Sequence, residues 1–125
     1  MRFNPTAEHT YWWPIKIVKP HPEKSGQWLT ESFEMRFASV SSDEAERISK
    51  QIAELKTDEE RAEHEHDQLL NVSRDWRGVE DDDKQPVPYT REMLLAMLKA
   101  APWYRAGIYS SYARSLVRDE ARKGN

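Results

Sequence analysis

The stretch that decides the fold is residues 11–18, which read YWWPIKIV. Alternate side chains of a β-strand point to opposite faces, so Trp13, Ile15 and Ile17 share one apolar face of a predicted strand. Pro14 has no backbone N–H to donate to a neighbouring strand, and we therefore place this strand at the edge of a sheet.

A second strand is predicted downstream of a turn-rich segment, residues 20–26. There Phe33, Met35 and Phe37 alternate with polar or small residues, as a half-buried strand requires. The two runs predict an antiparallel hairpin with one apolar face. Because a lone hairpin is only marginally stable in water, helices must cover it or another chain must extend its free edge.

A helical pattern follows the hairpin. Ser41 and Glu44 have the spacing of a capping box, and apolar residues then recur at intervals of three and four through residues 45–55. The same spacing continues through a polar middle to Ser73 and Trp76. The whole pattern is therefore interpreted as helical as far as Trp76.

Two interpretations of this pattern are open: one long helix, or two helices separated by a break. Thr57 and Glu60 form a second capping-box match, which favours a break near Lys56 and a new start at Asp58. Gly78 is placed to end the second helix in a left-handed conformation.

Two shorter helices are predicted in the last third of the chain. Thr90 is the expected cap of the first, and Pro102 suits the first turn of the second. The apolar side of the first carries Met93, Leu94, Met97 and Leu98. The stripe of the second is expected to be Ala106, Tyr109, Tyr112, Ala113 and Leu116.

The predicted fold class is α+β, with a two-stranded antiparallel hairpin packed on about four helices in a single small domain. A chain of 125 residues suits one domain. We expect residues 1–10 to form a flexible arm, residues 11–118 the domain, and residues 119–125 a frayed tail.

Composition narrows the class of protein. Hydrophobic residues make up 38% of the chain and charged residues 33%, with no apolar run long enough to span a bilayer, so no membrane partner is expected. The absence of cysteine and of an apolar leader favours a cytoplasmic protein.

Charge is distributed unevenly along the chain. Residues 43–84 hold 15 acidic and 7 basic side chains, whereas residues 90–125 hold 7 basic and 3 acidic ones. Such an acidic middle repels phosphate, so no nucleic-acid partner is expected.

No motif predicts catalysis. His64 and His66 invite a metal hypothesis, but residues two apart on a helix point about 200° apart and do not chelate one ion together. Phosphate-cradling glycine loops and a local Ser/His/Asp set are both missing from the sequence. We expect a protein that is not an enzyme and that has no cofactor and no metal.

Aromatic side chains suggest a partner surface. The chain has five Trp, five Tyr and three Phe, many for so polar a sequence, and Trp and Tyr often carry interface hot spots. Methionine adds adaptable apolar contacts. The residues predicted to contact a partner are Trp76, Met93, Met97, Trp103, Tyr104 and Tyr109.

The order of several short motifs resembles the tail assembly chaperones of long-tailed phages and prophages, over roughly residues 12–118. The motifs that carry the resemblance are Trp13-Pro14-Ile15-Lys16-Ile17, Phe33-Glu34-Met35-Arg36-Phe37, an acidic helix, Trp76-Arg77-Gly78-Val79, the acidic turn Glu80 to Asp83, Pro88-Tyr89-Thr90-Arg91-Glu92-Met93-Leu94, and Pro102-Trp103-Tyr104-Arg105-Ala106.

This resemblance implies a non-catalytic protein of the bacterial host cytoplasm that is absent from the mature virion. Such chaperones bind the tape measure protein, a long and aggregation-prone helical protein, and help tail tube subunits polymerise around it. Self-association is also expected. Two other functions stay open: a structural tail or head-tail component retained in the virion, and a small metal-dependent hydrolase using His64 and His66.

Overall fold

The computed structural model describes residues 1–118 and confirms an α+β fold with four helices in one small domain. The predicted frayed tail, residues 119–125, lies outside the described residues. No helix within residues 1–118 combines the length and the apolar character needed to cross a bilayer. In chain order the elements are β1 (Thr10–Pro20), β2 (Trp28–Ala38), α1 (Ser42–Glu54), α2 (Asp58–Val72), β3 (Ser73–Arg77), α3 (Arg91–Ala100) and α4 (Pro102–Ser115).

The sheet has the antiparallel order β1-β2-β3. Ile15 and Ile17 of β1 and Met35 of β2 are almost fully buried, as the alternation predicts, and they form the centre of the core. Pro14 sits in an edge strand, which confirms its predicted position. The hairpin expected from the sequence is therefore present, with a third strand added on its β2 side.

β3 replaces what the sequence pattern predicted as the end of a helix, so that prediction is wrong. Trp76 pairs with Met35 in the sheet, and its indole packs edge-on against Phe33 and Tyr89 at centroid distances of 6.1 and 5.2 Å. Burying the indole against the sheet outweighs continuing the helix, because large aromatic side chains contribute strongly to a small core. Gly78 does adopt a positive φ of 86°, but it follows a strand and not a helix.

The predicted break in the acidic helix is confirmed. Helix α1 ends at Glu54, and α2 begins at Asp58 behind a capping box in which Glu60 N–H donates to Thr57 Oγ1 and Thr57 N–H donates to Glu60 Oε1, both at 3.1 Å. Two orphan amide donors are thereby satisfied at the new helix start.

Helix α3 has its predicted cap at Thr90, with Leu94 and Leu98 buried. The predicted stripe of α4 is only partly right. Tyr112 is buried, but Ala106, Ala113 and Leu116 are exposed, while the buried face carries Ile108, Ser111 and Tyr112. The reason is the neighbour of α4: it packs against β1, where small side chains allow a close approach.

Candidate partner-binding surfaces

Helix α4 covers the middle of the outer edge of β1. The Lys16 backbone N–H points away from β2 and donates to Ser111 Oγ at 3.2 Å. A Cβ added at Gly107 would lie 2.6 Å from the Lys16 carbonyl oxygen, so only glycine fits there without a shift. Pro14 has no N–H to donate either, so of the two alternatives for this hairpin, cover by a helix is the one found at the centre of the β1 edge.

An open groove of about 660 Å³ runs beside this contact, and we call it the edge groove. Among residues 1–118, the charged residues that line it are Lys16 and Arg114, so this rim is basic. Val18 in its wall is 44% exposed, and the indole Nε1 of Trp103 is buried with no hydrogen-bond acceptor among residues 1–118. The edge groove is lined by Trp13, Pro14, Ile15, Lys16, Val18, Ser32, Trp103, Ala106, Gly107, Ser110, Ser111 and Arg114.

Of the residues predicted to contact a partner, Trp76 is placed in the core. It is 5% exposed, and its indole N–H donates to the Val87 carbonyl oxygen at 2.7 Å. These contacts hold the ring between β2 and the segment that leads to α3. A contact between Trp76 and a partner would therefore require the core to open.

The other five predicted residues lie on α3 and α4, and the rings of Trp103 and Tyr104 are neighbours with centroids 6.2 Å apart. Met93 on α3 is 44% exposed, and Met97 is half-buried. On α4, Trp103 lines the edge groove, while Tyr104 lies at the end of β1, where Lys19 Nζ is 5.6 Å from its ring centroid. Tyr109 is half-buried on the side of α4 that faces α2.

Val18 was missed from the sequence. It points to the face of β1 opposite the core, where apolar side chains are not required by the hairpin. An exposed aliphatic residue on the polar face of an edge strand is the signal that would have identified it.

A second groove, of about 670 Å³, opens between α1 and α2, and we call it the acidic groove. In the described part of the chain, five carboxylates surround its apolar floor of Ile48 and Leu55, and Arg47 is the one lining cation other than a histidine. Arg47 is already paired with Glu44 within α1. The lining residues are Glu44, Arg47, Ile48, Gln51, Glu54, Leu55, Glu60, Glu63, His64, Asp67, Gln68 and Asn71.

The two histidines of the metal hypothesis lie in different surroundings. His64 lines the acidic groove, whereas His66 lies near Arg105 and Lys99. Burial lowers the pKa of His66 below its ordinary value of 6.5, and the positive charges of Arg105 and Lys99 lower it further. Within residues 1–118, no three His, Asp or Glu side chains converge as a metal site requires.

Comparison with known proteins gives a family. No curated protein and no solved structure matches the chain. The family model described as YdaY prophage protein matches residues 36–122, a span that includes β3, the acidic helices and all of the predicted partner-contacting residues. Since this match covers well over half of the sequence, the chain belongs to the YdaY prophage protein family.

Proposed function

We propose that this prophage protein is a non-catalytic tail assembly chaperone. It binds the tape measure protein in the cytoplasm of the bacterial host, keeps it soluble, and is absent from the mature virion. Tail tube subunits are a second partner, and the chaperone associates with itself. Membership of a prophage family and the order of short motifs along the chain support this function.

The observation that carries the proposal is the edge groove. A chaperone for an unassembled helical protein must cover apolar stripes and then release them, which requires apolar contacts of moderate extent on a charged, soluble surface. Trp13, Trp103 and Val18 provide such contacts beside a floor of small residues. Lys16 and Arg114 at the rim add attraction to acidic side chains that flank an apolar stripe.

Co-expression with the tape measure protein of the same prophage tests the proposal. We expect the wild-type chain to keep the tape measure protein soluble and to co-elute with it in gel filtration. Val18→Lys places a charge in the edge groove and should reduce the soluble fraction severalfold, since it puts a charge into an apolar contact. Ile52→Lys is the matched control, because Ile52 is 41% exposed and lies outside the edge groove.

The outcomes separate the competing functions. An insoluble tape measure protein with no complex in gel filtration would overturn the proposal. If Val18→Lys and Ile52→Lys reduce the soluble fraction equally, the edge groove is not the binding surface. Mass spectrometry of purified particles tests the structural alternative. A tail assembly chaperone is absent from those particles, whereas a structural tail component is present in stoichiometric amount.

A further inference from the structure

The side of β2 that faces β3 is paired over only part of its length. β3 pairs with β2 between Glu34 and Phe37, and no strand within residues 1–118 pairs with residues 28–33 on that side. β3 ends at Arg77, and the following Gly78 lies beside Phe33 with a positive φ, which ends the extended strand. Residues 28–32 of β2 are therefore a free strand edge, which we call the open edge.

The backbone of the open edge has unused hydrogen-bonding groups. Lys16, which pairs with Ser32, donates its N–H away from β2 to Ser111, so Lys16 and Ser32 form a pair that is not hydrogen-bonded. In such a pair the backbone groups of both residues point away from each other, and the pattern repeats at every second residue. The N–H and C=O groups of Trp28, Thr30 and Ser32 therefore point to the free side of β2.

The open edge lacks the features that protect strand edges from other chains. Edge strands in natural proteins often carry proline, lysine or a bulge that prevents pairing. Residues 28–32 read WLTES, and the register shift in β2 lies further along, between Arg36 and Phe37. Trp28 is 68% exposed, and the three residues that follow Leu29 are exposed too. An unprotected edge of this kind is typical of a surface that pairs with another strand.

We infer that the open edges of two copies pair with each other as antiparallel strands about a two-fold axis at Leu29. Trp28 of each copy lies opposite Thr30 of the other, and the two residues exchange backbone hydrogen bonds. Leu29 faces its own counterpart in a pair that is not hydrogen-bonded, where side chains approach most closely. Glu31 lies opposite Gln27, so no like charges are directly opposed.

The register follows from Gly78, which occupies the place beside Phe33. An axis at Thr30 would bring the hairpin turn of the second copy into that place. An axis at Glu31 would set two carboxylates opposite each other, which is unfavourable. With the axis at Leu29, the second strand ends before Phe33 and both conflicts are avoided.

A second copy is the occupant because the open edge requires an extended strand and is complementary to itself. The tape measure protein of the proposed function is helical and supplies no such strand. The same edge is used in both copies, so the contact is isologous and closes at two copies. This inference rests on the self-association in the proposed function and does not depend on the tape measure protein as a partner.

Cysteine cross-linking locates the axis. The chain has no cysteine, so a single introduced thiol forms a disulfide only between two copies. Leu29→Cys places the two thiols on Cα atoms about 4.5 Å apart, a separation that a disulfide bridges. Thr30→Cys is the matched control, because its two Cα atoms lie more than about 7 Å apart, too far for a disulfide without backbone movement.

Under mild oxidation, non-reducing gels should show the covalent dimer of Leu29→Cys forming about tenfold faster than that of Thr30→Cys. Equal rates would indicate random collision, and faster cross-linking of Thr30→Cys would indicate another register. Either result would overturn the pairing at Leu29.

A proline substitution tests whether backbone hydrogen bonds hold the two copies together. Thr30→Pro removes an N–H that points away from β1, so the hairpin itself loses no hydrogen bond. In sedimentation velocity on the full chain, this substitution should weaken the dimer by about tenfold or more, because each copy loses a donor and proline obstructs the edge. Thr30→Val keeps the N–H and the side-chain shape and is the matched control. Circular dichroism checks that both variants fold, and equal dimerisation of the two would contradict the inference.

The wild-type chain separates this inference from the proposed function. We expect its sedimentation coefficient to rise with protein concentration and to level off at the value of a dimer. A chain that stays monomeric at every concentration, or that grows beyond two copies, would overturn the inference. A monomeric chain that still keeps the tape measure protein soluble would leave the chaperone function in place.

Discussion

Helices α4 and α1 are of similar length but are held to the domain in very different ways. α4 lies so close to β1 that a single methyl group at Gly107 would collide with the Lys16 carbonyl oxygen. It also buries Ile108 completely. Of the thirteen residues of α1, by contrast, only Ile48 is buried, and it faces the open acidic groove.

The comparison shows that stability is unevenly distributed in this small domain. The sheet and α4 form a dense unit in which any change of volume is felt. α1 has few apolar contacts and many exposed charges, which is typical of segments that open at low free energy. The two grooves therefore differ in their walls: the edge groove lies beside the closely packed contact of α4 with β1, and one wall of the acidic groove is the sparsely packed α1.

The largest expected effect comes from truncating the buried isoleucine of each helix. Ile108→Ala should lower the free energy of unfolding by about 3 kcal/mol, because the Ile108 side chain is completely buried and its truncation leaves a cavity in the core. Ile48→Ala should lower it by about 1 kcal/mol, since Ile48 borders an open groove. Urea unfolding measures both. Equal losses of stability would contradict the conclusion that α4 is packed more tightly than α1.

A smaller loss is expected when the close approach of α4 is disturbed. Gly107→Ala should destabilise the domain by about 1–2 kcal/mol, although alanine is the better helix former by about 1 kcal/mol, because the added methyl group overpacks against backbone. Ser110→Ala, at an exposed position on the same helix, should change stability by less than about 0.5 kcal/mol. A stabilised Gly107→Ala would show that α4 moves away from β1 freely.

The junction between α1 and α2 should be sensitive to its cap. Thr57→Ala removes the acceptor for the Glu60 N–H and should lower stability by about 1 kcal/mol. Amide hydrogen exchange should show the loss of protection at the start of α2, with α4 unaffected. Thr57→Ser keeps the hydroxyl and serves as the control. If protection is lost equally in α2 and α4, the uneven distribution of stability in the domain is contradicted.

The smallest expected effect is a pH dependence from His66. Its folded pKa lies below 6.5, so the unfolded chain binds this proton more readily. Stability should therefore fall as the pH drops through about 6.5 towards the folded pKa. Glu65 and Asp67 oppose the shift but are the weaker influences. His66→Gln should flatten this part of the stability profile, and identical profiles for both proteins would show that His66 is not the cause.

Local signals predicted most of the fold. The strand alternation around Ile15 and the caps at Thr57 and Thr90 depend on neighbours in sequence, and all three are confirmed. β3 escaped prediction because the partner of Trp76 is Met35, which is distant in the chain. The spacing of three residues between positions 73 and 76 fits a helix, and only the pairing of Trp76 with Met35 shows that the segment is a strand.

For the candidate surfaces, the sequence predicts the types of residue involved but not where the fold places them. Met93 and Trp103 were identified from their chemistry, but no periodicity shows that α4 turns Trp103 and Gly107 towards the edge of a strand. The apolar pattern predicts Leu116 on the buried side of α4, whereas contact with β1 at Gly107 turns Ile108 and Tyr112 inward instead. Which charged residues of α1 and α2 face one another also depends on the angle at the break between them.

The contact between Lys16 and Ser111 limits how copies of this protein can join. A sheet whose outermost strand is occupied at its centre cannot grow as a continuous ribbon from chain to chain, so backbone-driven fibre formation is closed along that side.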